Sequence, residues 1–274
     1  MPDIHSFCKD LKQGMEEYET LFKYYTKLLR SLNIPFVLAF RVVKDFYKKH
    51  KDWILKMIKE AKCPALIELL PERKHYWIIK HEYQYIDSVG GHAQLSTVQL
   101  DIEDSERYGI YYIDEKGEKK GCIIVHSSMG SIERFIYAIL EEAAKAINEG
   151  RTPKIPTWLA PIQVRIIPLT SKYLDYALKI ADKLIECEIR VDVDDREGTL
   201  SSKIRDAEKE WIPYIIVIGE KEVKENILTV RVRGEGIKKM KLEELIKLIN
   251  EEIGDKPRLP SYTPILLSKR PKFA

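Results

Sequence analysis

A proline-rich segment near the middle of the chain, NEGRTPKIPTWLAP at residues 148–161, separates two regions with different hydrophobic patterns. Its glycine and three prolines interrupt regular structure and are typical of a linker between domains. The chain of 274 residues is long enough for two domains of ordinary size. We therefore expect one domain over residues 1–150 and a second over residues 151–274.

The first region predicts a mixture of helices and strands. Apolar residues recur at helical spacing over 9–31 and again near 47–61, on either side of the strand-like run PFVLAFRVV. Further strand-like runs follow, namely ALIELL, HYWIIKHEYQYID, STVQLDI, YGIYYID and GCIIVHS. Turn signals such as Gly90-Gly91 separate them, and consecutive strands joined by tight turns favour an antiparallel sheet. A helix that starts at Ser131 ends this region.

The second region alternates strands and helices. The strands IQVRIIPL, IRVDVD, YIIVIG and ILTVRVR occur with the helices SKYLDYALKIADKLIEC, LSSKIRDAEKE and KLEELIKLINEEI. This order, βαβαββα over roughly 155–253, predicts a small α/β domain with a mixed sheet. The basic, proline-rich tail GDKPRLPSYTPILLSKRPKFA is predicted to be extended or partly disordered.

Composition argues against several classes of protein. No apolar run reaches the roughly 18 residues of a membrane-spanning helix, and the N-terminus lacks the apolar segment of a signal peptide. The four cysteines are scattered without a CxxC pair, which indicates reduced thiols in a cytoplasmic protein. A net charge of only +3 does not by itself favour nucleic acid, so any such site must be a local basic patch.

The segment GSIERFIYAILEE places an arginine where a helix does not favour one. Ser131 is a good N-cap and Glu133 suits the positive end of the helix dipole, whereas Arg134 in the same turn opposes that dipole. Two interpretations remain open from these residues. Arg134 either points to solvent from a capped core helix, or faces an anionic or aromatic ligand, since guanidinium groups bind phosphates and stack on rings such as adenine.

Two further sets of polar residues in the first region could form a site. His126 ends a strand and His5 lies near the N-terminus, so both imidazoles could bind one metal ion, although ordinary hydrogen bonds also satisfy a strand-end histidine. Strand alternation places Thr97, Gln99 and Asp101 on one face. That face is either part of a ligand cleft or a solvated surface.

Basic residues of the second region could converge at one end of its sheet. Arg205 lies on a predicted helix, and Arg231 and Arg233 share one face of a strand. Paired arginines can hold phosphates or contact the exposed bases of single-stranded RNA. They can equally form a solvated charged face with Glu220 or Glu222.

Taken in chain order, several of these segments resemble one family. PDIHSFC, LPERKHYWIIK, TVQLDI, GSIERFIYAILEE, PTWLAPIQV, RVDVDDREGTLSSKIRDAE, PYIIVIGEKEV and VRVRG resemble the C-terminal half of an archaeal-type threonyl-tRNA synthetase, over essentially the whole chain. GSIER resembles motif 3 of class II aminoacyl-tRNA synthetases. The resemblance implies an incomplete α+β catalytic domain with an antiparallel sheet, followed by an α/β anticodon-binding domain with a mixed five-stranded or similar sheet.

The resemblance also implies an activity and its ligands. The reaction is the ATP-dependent ligation of threonine to tRNA, with ATP and Mg²⁺, threonine and threonine tRNA as ligands and no membrane partner. The implied catalytic residues are Arg134, Gln99 and Lys80. The implied ATP-binding residues are Arg134, Gln94 and Gln99, and the implied threonine-binding residues are Asp3 and Gln99.

Two further sites follow from the same resemblance. His5 and His126 fall on zinc-ligand positions, and the zinc of this family takes the amino and hydroxyl groups of threonine, which valine cannot match because it lacks the hydroxyl. The residues implied near the anticodon bases are Arg205, Glu222, Arg231 and Arg233.

The sequence departs from the family pattern at its beginning. It starts where motif 2 should just have ended, so we expect motif 1, the motif 2 arginine, the zinc-ligand cysteine and an editing domain to be missing. The family's homodimer element would then be absent, the zinc site incomplete, and sheet edges exposed. We expect tRNA binding without adenylate formation. A non-catalytic tRNA-binding accessory protein or paralogue, and the C-terminal half of a split synthetase, remain as alternatives.

Overall fold

Two compact units divide the chain, one over Met1–Lys145 and one that begins at Ala146. The computed structural model describes residues 1–271. The elements from the N-terminus to the linker are β1 (Asp3–Cys8), α1 (Leu11–Ser31), β2 (Val37–Val43), α2 (Lys44–Ala61), β3 (Ala65–Leu70), β4 (Trp77–Ile86), β5 (His92–Asp101), α3 (Asp104–Arg107), β6 (Tyr111–Ile113), β7 (Lys119–Gly121), β8 (Ile123–Ser128) and α4 (Ile132–Asn148).

A six-stranded sheet organises the first unit in the order β1-β8-β5-β4-β2-β3. Neighbouring strands are antiparallel, as predicted, except that β3 joins β2 in parallel. The run ALIELL therefore forms a parallel edge strand. The helix between β2 and β3 spans 18 residues and supplies the crossover that a parallel pair requires.

Two strands differ from the sequence prediction. β1 was not predicted, because most of its residues are exposed and its apolar alternation is weak. The run YGIYYID forms only the short β6, which pairs with β7 outside the main sheet. Gly109 turns the chain just before β6 with a φ of +66°, so the extended segment is limited to three residues.

Helix α1 covers one face of the sheet. The hydroxyl of Tyr18 lies 2.6 Å from Nδ1 of His81, and the hydroxyl of Tyr25 donates to Ser127 Oγ at 3.0 Å. Gly14 permits this close approach, since a Cβ there would lie 2.8 Å from the side chain of Ile123. Alternate residues of β4, β5 and β8 therefore face α1, and the residues between them face the opposite side of the sheet.

Exposed apolar side chains occur at both edges of this sheet, in agreement with the expected exposed edges. Phe7 on β1 is 61% exposed and Leu66 on β3 is 71% exposed. Helix α4, which reads as a core helix in the sequence, also exposes Ile132, Ile136 and Leu140. Its fully buried positions are alanines such as Ala138, and larger side chains such as Phe135 and Ile139 are only half-buried.

The second unit contains the predicted mixed sheet of five strands, in the order β10-β9-β11-β12-β13. Strands β10, β9 and β11 are parallel, and β12 and β13 continue the sheet antiparallel. The elements are β9 (Val164–Pro168), α5 (Leu174–Glu186), β10 (Val191–Val193), α6 (Leu200–Lys209), β11 (Tyr214–Ile218), α7 (Glu220–Glu225), β12 (Leu228–Val232), β13 (Gly236–Met240) and α8 (Leu242–Ile253).

Helix α7 and strand β13 were absent from the predicted order βαβαββα. Both are short, and most of their residues are exposed, so neither carries a clear apolar period. The remaining elements pack on both faces of the sheet. Ile166 joins the larger core that α5 and α8 cover, whereas Ile167 packs with Ala207 of α6.

The tail docks on the second unit and is extended apart from a short 3₁₀ turn over Leu267–Lys269. Leu266 bridges Val193 at the edge of the sheet, and Ser268 donates its backbone N–H and its hydroxyl to the carboxylate of Asp195. The last three residues of the predicted tail lie outside the described residues. Among residues 1–271, no helix is both long enough and apolar enough to span a bilayer.

Candidate catalytic face and RNA-binding cleft

The sheet face opposite α1 brings together most of the predicted catalytic residues. His5 pairs with His126 across β1 and β8, His126 pairs with Gln99 across β8 and β5, and Gln99 pairs with Lys80 across β5 and β4. Directly opposed residues of antiparallel strands point to the same face, so these four form one row across the sheet. Asp3 lies two residues before His5 and points to the same side.

At one end of this row, His5 and His126 form an imidazole pair. Their Nδ1 atoms are 2.8 Å apart, and Nε2 of His126 lies 2.8 Å from Oδ2 of Asp101. The Asp101 side chain is fully buried, and its Oδ1 accepts the backbone N–H groups of Glu103 and Asp104 at 2.8 and 2.9 Å. Desolvation raises the pKa of Asp101, but the hydrogen bonds from His126 and the two amides outweigh it and lower the pKa.

The imidazole pair fits two positions of a tetrahedral zinc site. Zinc–nitrogen bonds of about 2.0–2.1 Å place two ligand nitrogens about 3.3 Å apart, so the imidazoles would separate by about 0.5 Å from their present hydrogen-bonded distance of 2.8 Å. Cys8 cannot join them, because it lies three residues beyond His5, is buried and points to the other face. Asp101, Asp104 and His126 also offer ligand atoms within 4.8 Å of one another, on the Nε2 side of the histidine.

Glu82 is a buried carboxylate on this face that sequence reasoning missed. Its Oε1 accepts Lys80 Nζ at 2.7 Å and Arg41 Nη1 at 3.2 Å, and its Oε2 accepts Gln84 Nε2 at 2.7 Å. Lys80 is therefore held in place and electrostatically balanced. Strand alternation in KHEYQ, which places Lys80, Glu82 and Gln84 on one face, is the signal that could have found it.

Tyr76 is a second residue that the sequence did not single out. Its hydroxyl donates to Oε1 of Gln99, and its ring packs edge-on against His126 with 5.5 Å between ring centroids. It lies just before β4, in the segment HYWIIK. Gln99 and His126 are thus oriented by neighbours rather than left free on the surface.

Arg134 is exposed in the first turn of α4, but it is not free. Its Nη1 donates to the main-chain oxygen of Gln94 at 2.8 Å, and its backbone N–H donates to Ser131 Oγ at 3.3 Å, which confirms the predicted N-cap. Gly130 precedes this cap with a φ of +102°. A Cβ there would collide with the carbonyl oxygen of Leu95, so the tight approach of α4 to β5 requires glycine.

In the second unit, Arg231 and Arg233 line one cleft of about 350 Å³. Arg231 Nη1 lies 3.5 Å from Oε1 of Glu208, and about a third of its side chain is exposed. Arg233 donates to the carbonyls of Pro153 and Glu208 at 2.6 and 2.8 Å and lies over the ring of Trp211. Burial lowers the pKa of Arg233. The hydrogen bond to the Pro153 carbonyl ties one side of its guanidinium to the linker.

The other two residues predicted near the anticodon lie apart from this cleft. Glu222 accepts the Gly219 N–H at 2.9 Å and the Thr229 hydroxyl at 2.7 Å, so it caps α7. Desolvation raises its pKa, but these hydrogen bonds outweigh that effect and lower it. Arg205 is exposed on α6, and its side chain makes no hydrogen bond or ion pair with another residue in the described part of the chain. Thr229 and Arg231 share a face of β12, which links Glu222 to the cleft.

Comparisons with known proteins agree with both parts of this structure. The family model "tRNA synthetase class II core domain (G, H, P, S and T)" matches residues 1–143, and the model "Anticodon binding domain" matches residues 163–252. The chain is 48% identical over 278 aligned positions to the threonine–tRNA ligase of Pyrococcus horikoshii, covering 100% of this chain and 44% of the relative. The chain is 45% identical over 276 aligned positions to the threonine–tRNA ligase of Pyrobaculum calidifontis, covering 99% of this chain and 45% of that relative.

A solved structure shows the same fold. The RNA binding domain of threonyl-tRNA synthetase from Cryptosporidium parvum Iowa II superimposes with a TM-score of 0.75 at 22% identity, covering 94% of this chain and 64% of that one. The predicted fold class is thereby confirmed. This chain spans less than half the length of the curated relatives named above. With a core-domain model that covers its first half, the chain belongs to the class II tRNA synthetase family.

Proposed function

We propose that this chain provides the distal catalytic region, within residues 1–150, and the anticodon-binding domain, within residues 151–274, of a threonine–tRNA ligase. The observation that carries the proposal is the row of His5, His126, Gln99 and Lys80 across one sheet face. Those residues come from four strands, and the imidazole pair at the end of the row offers the ligand chemistry that threonine selection requires. The four free cysteines support a cytoplasmic location.

Arg134, Gln94 and Gln99 are the proposed ATP-binding residues. One donor of Arg134 is held by the main-chain oxygen of Gln94, which fixes the guanidinium while its other donors stay available. A fixed, planar guanidinium can bind a phosphate oxygen or stack on the adenine ring. Mg²⁺ would enter with ATP, bound largely through the phosphates.

Asp3 and Gln99 are the proposed threonine-binding residues. The Asp3 carboxylate can accept a hydrogen bond from the amino group of threonine, and Gln99 is oriented by the hydroxyl of Tyr76. His5 and His126 would hold zinc. When bound, zinc supplies a Lewis-acid centre for the amino nitrogen and the hydroxyl oxygen of threonine. It so discriminates against valine, which lacks the hydroxyl. Lys80, balanced by Glu82, adds a positioned positive charge to the same face.

The cleft of Arg231 and Arg233 is the proposed contact for anticodon bases, and Glu222 and Arg205, which lie apart from it, are proposed as further contacts. Arg231 keeps exposed donors, whereas Arg233 is partly used by Pro153 and Glu208. We therefore assign more of the base contacts to Arg231. Guanidinium groups suit this role because they stack on bases and donate to base edges.

The chain alone is expected to bind threonine tRNA without forming threonyl-adenylate. It spans less than half of its curated relatives, so residues that complete their sites can lie outside it. Threonine-dependent ATP–pyrophosphate exchange on the purified chain, together with filter binding to several tRNAs, tests both parts. No exchange with preferential binding of threonine tRNA supports the proposal.

Other outcomes separate the alternatives. Clear exchange by the chain alone would show that the adenylate forms without further residues. Equal binding of every tRNA would contradict the anticodon assignment. If addition of the N-terminal half of the Pyrococcus horikoshii relative restores exchange, the chain acts as half of a split synthetase, and if it does not, a non-catalytic tRNA-binding role is favoured.

A further inference from the structure

We infer that Asp101 is a positioning residue that fixes the tautomer of His126 and so keeps the lone pair of its Nδ1 facing Nδ1 of His5, an inference that rests on the proposed function. Nothing in the proposed catalytic row requires Asp101 to touch a substrate. Its role is to decide which nitrogen of His126 carries the proton. A zinc ion would then bind between His5 and His126 on the Nδ1 side.

The carboxylate of Asp101 is built into the fold. Its side chain is fully buried, and Oδ1 accepts two backbone N–H groups at the start of α3, from Glu103 and Asp104. This arrangement fixes the carboxylate plane and leaves Oδ2 for His126 Nε2 at 2.8 Å. An ionised carboxylate only accepts hydrogen bonds, so Nε2 of His126 must carry a proton.

The protonation of Nε2 determines the state of the other nitrogen. In a neutral imidazole with Nε2–H, Nδ1 has a lone pair, which here faces Nδ1 of His5 at 2.8 Å. Without metal, His5 donates its Nδ1–H to His126. For both residues to hold zinc through Nδ1, His5 would have to carry its proton on Nε2, while His126 would stay as it is. Both Nδ1 lone pairs would then be available to the ion, and no net proton would be lost from the pair.

The neighbours of His126 support one fixed ring orientation. The ring of Tyr76 packs edge-on against it at an interplanar angle of 80°, and β8 holds its backbone between β1 and β5. Histidines that bind metals commonly donate their second ring N–H to a carboxylate, and loss of that partner costs about 10–100-fold in metal affinity. Asp101 has the position and the burial that this role requires.

The competing arrangement uses the same residues differently. Asp101, Asp104 and His126 could bind a cation directly, with His126 coordinating through Nε2. In that case Nε2 would be unprotonated when metal is bound, and His5 would not take part. The two arrangements therefore differ in which nitrogen of His126 meets the metal.

The test is nitrogen-15 NMR of the histidine side chains at pH 8, on the purified chain with and without zinc. We expect His126 as the Nε2–H tautomer in both states, with zinc shifting the Nδ1 resonances of His5 and His126. We expect Asp101→Asn, which preserves shape, to lower zinc affinity about 10–100-fold and to yield a mixture of His126 tautomers. Asp104→Asn serves as the matched control, and its zinc affinity should stay within about twofold of that of the parent.

Several results would overturn the role of Asp101. These are an Nδ1–H tautomer of His126 in the parent, zinc at Nε2, no zinc binding by the parent, or unchanged affinity in folded Asp101→Asn. The tautomer of the parent alone decides the case if that variant does not fold. None of these measurements involves ATP or tRNA, so a failure of the ligase proposal in exchange or tRNA binding is seen separately.

Discussion

Arg134 donates from Nη1 to the main-chain oxygen of Gln94 at 2.8 Å. The contact ties the first turn of α4 to β5 and places two proposed ATP-binding residues side by side. An arginine in the first turn opposes the helix dipole, and this hydrogen bond offsets part of that cost. Arg134 is exposed yet held in one position, and the interpretation that it faces a ligand stays a prediction.

Substitution of Arg134 by alanine should weaken ATP binding without unfolding the chain. The loss should be at least about tenfold in Kd, because a hydrogen bond to a charged group contributes about 1.5–3 kcal/mol. Titration calorimetry with Mg–ATP measures the effect. The control is Arg107→Ala, which removes an exposed arginine that lies on α3 and not on α4. Equal ATP affinity in the two variants would remove Arg134 from the ATP site.

Substitution of Gly130 by alanine should destabilise the first unit strongly. The residue has a φ of +102°, and a Cβ would collide with the Leu95 carbonyl oxygen, so we expect a loss of about 3 kcal/mol or more. Gly117→Ala is the matched control, because its φ is +79° but nothing lies within 4 Å of the added Cβ. That variant should lose only about 1 kcal/mol in urea unfolding. Similar losses in both would show that backbone strain, rather than the collision, dominates.

His81 should make the first unit sensitive to mild acid. Burial lowers its pKa from 6.5 to about 3, and the charge of nearby Lys80 acts in the same direction, while the hydroxyl of Tyr18 hydrogen-bonds its Nδ1. Between pH 6.5 and pH 3 the unfolded chain therefore binds a proton at this position that the folded chain does not. The free energy of unfolding should fall by about 1.4 kcal/mol per pH unit as the pH drops through this window.

Unfolding in urea at several pH values, for the parent and His81→Gln, isolates that contribution. The variant should show a shallower fall below pH 6.5, and it should not differ in slope above that pH. His92→Gln, at an exposed histidine, controls for the loss of an ordinary imidazole. Identical slopes for the parent and His81→Gln would mean that His81 is accessible to protons in the folded state.

Arg270 should anchor the tail through a buried carboxylate. Its Nη2 lies 2.9 Å from Oδ2 of Asp192, which is fully buried and also bound by both Nε and Nη2 of Arg165. Arg270→Ala leaves the Arg165 pair intact, so the domain should remain folded. Amide hydrogen exchange over residues 265–268 should accelerate by about tenfold or more. Lys269→Ala, at an exposed neighbour, should leave exchange unchanged, and equal exchange in the two variants would show that Arg270 does not hold the tail.

Arg231 should contribute more to tRNA discrimination than its neighbour Arg233. Arg231→Ala is expected to weaken the binding of threonine tRNA by about 1–2 kcal/mol and to reduce the preference of the chain for this tRNA over other tRNAs. Lys183→Ala on α5, on the opposite side of the sheet, should weaken all tRNAs slightly and equally. Filter binding at fixed salt measures both. If Arg231→Ala keeps the full preference, the cleft does not read the anticodon.

Arg233→Ala should instead behave as a structural variant. It removes hydrogen bonds to the carbonyls of Pro153 and Glu208, so we expect a lower melting temperature of the second unit. Strand alternation predicted that Arg231 and Arg233 share a face. It could not show that Arg233 donates a hydrogen bond to the carbonyl of Pro153 in the linker, 80 residues earlier in the chain.

Alternation also placed Gln99 and Asp101 on one face of a strand, and both interpretations, a ligand cleft and a solvated surface, were open. The structure shows that Asp101 is buried and bound to His126, whereas Gln99 is half-buried and bound to Tyr76. Burial of this kind depends on the neighbouring strands and on α3. A strand's own residues cannot reveal it.

By itself, the sequence determined most of the helices and strands and the family to which the chain belongs. Those features are encoded locally, in hydrophobic periods, turn residues and short motifs. The sequence also predicted two domains that meet at residues 150 and 151, whereas the two compact units meet at Lys145 and Ala146, before the proline-rich linker. Only the tertiary structure decided that β1 lies beside β8, which brings His5 to His126 across a separation of 121 residues. Strand pairing over such a distance is set by burial of the whole sheet and by its backbone hydrogen bonds. The local sequence of an edge strand with a weak hydrophobic pattern does not indicate which strand it pairs with.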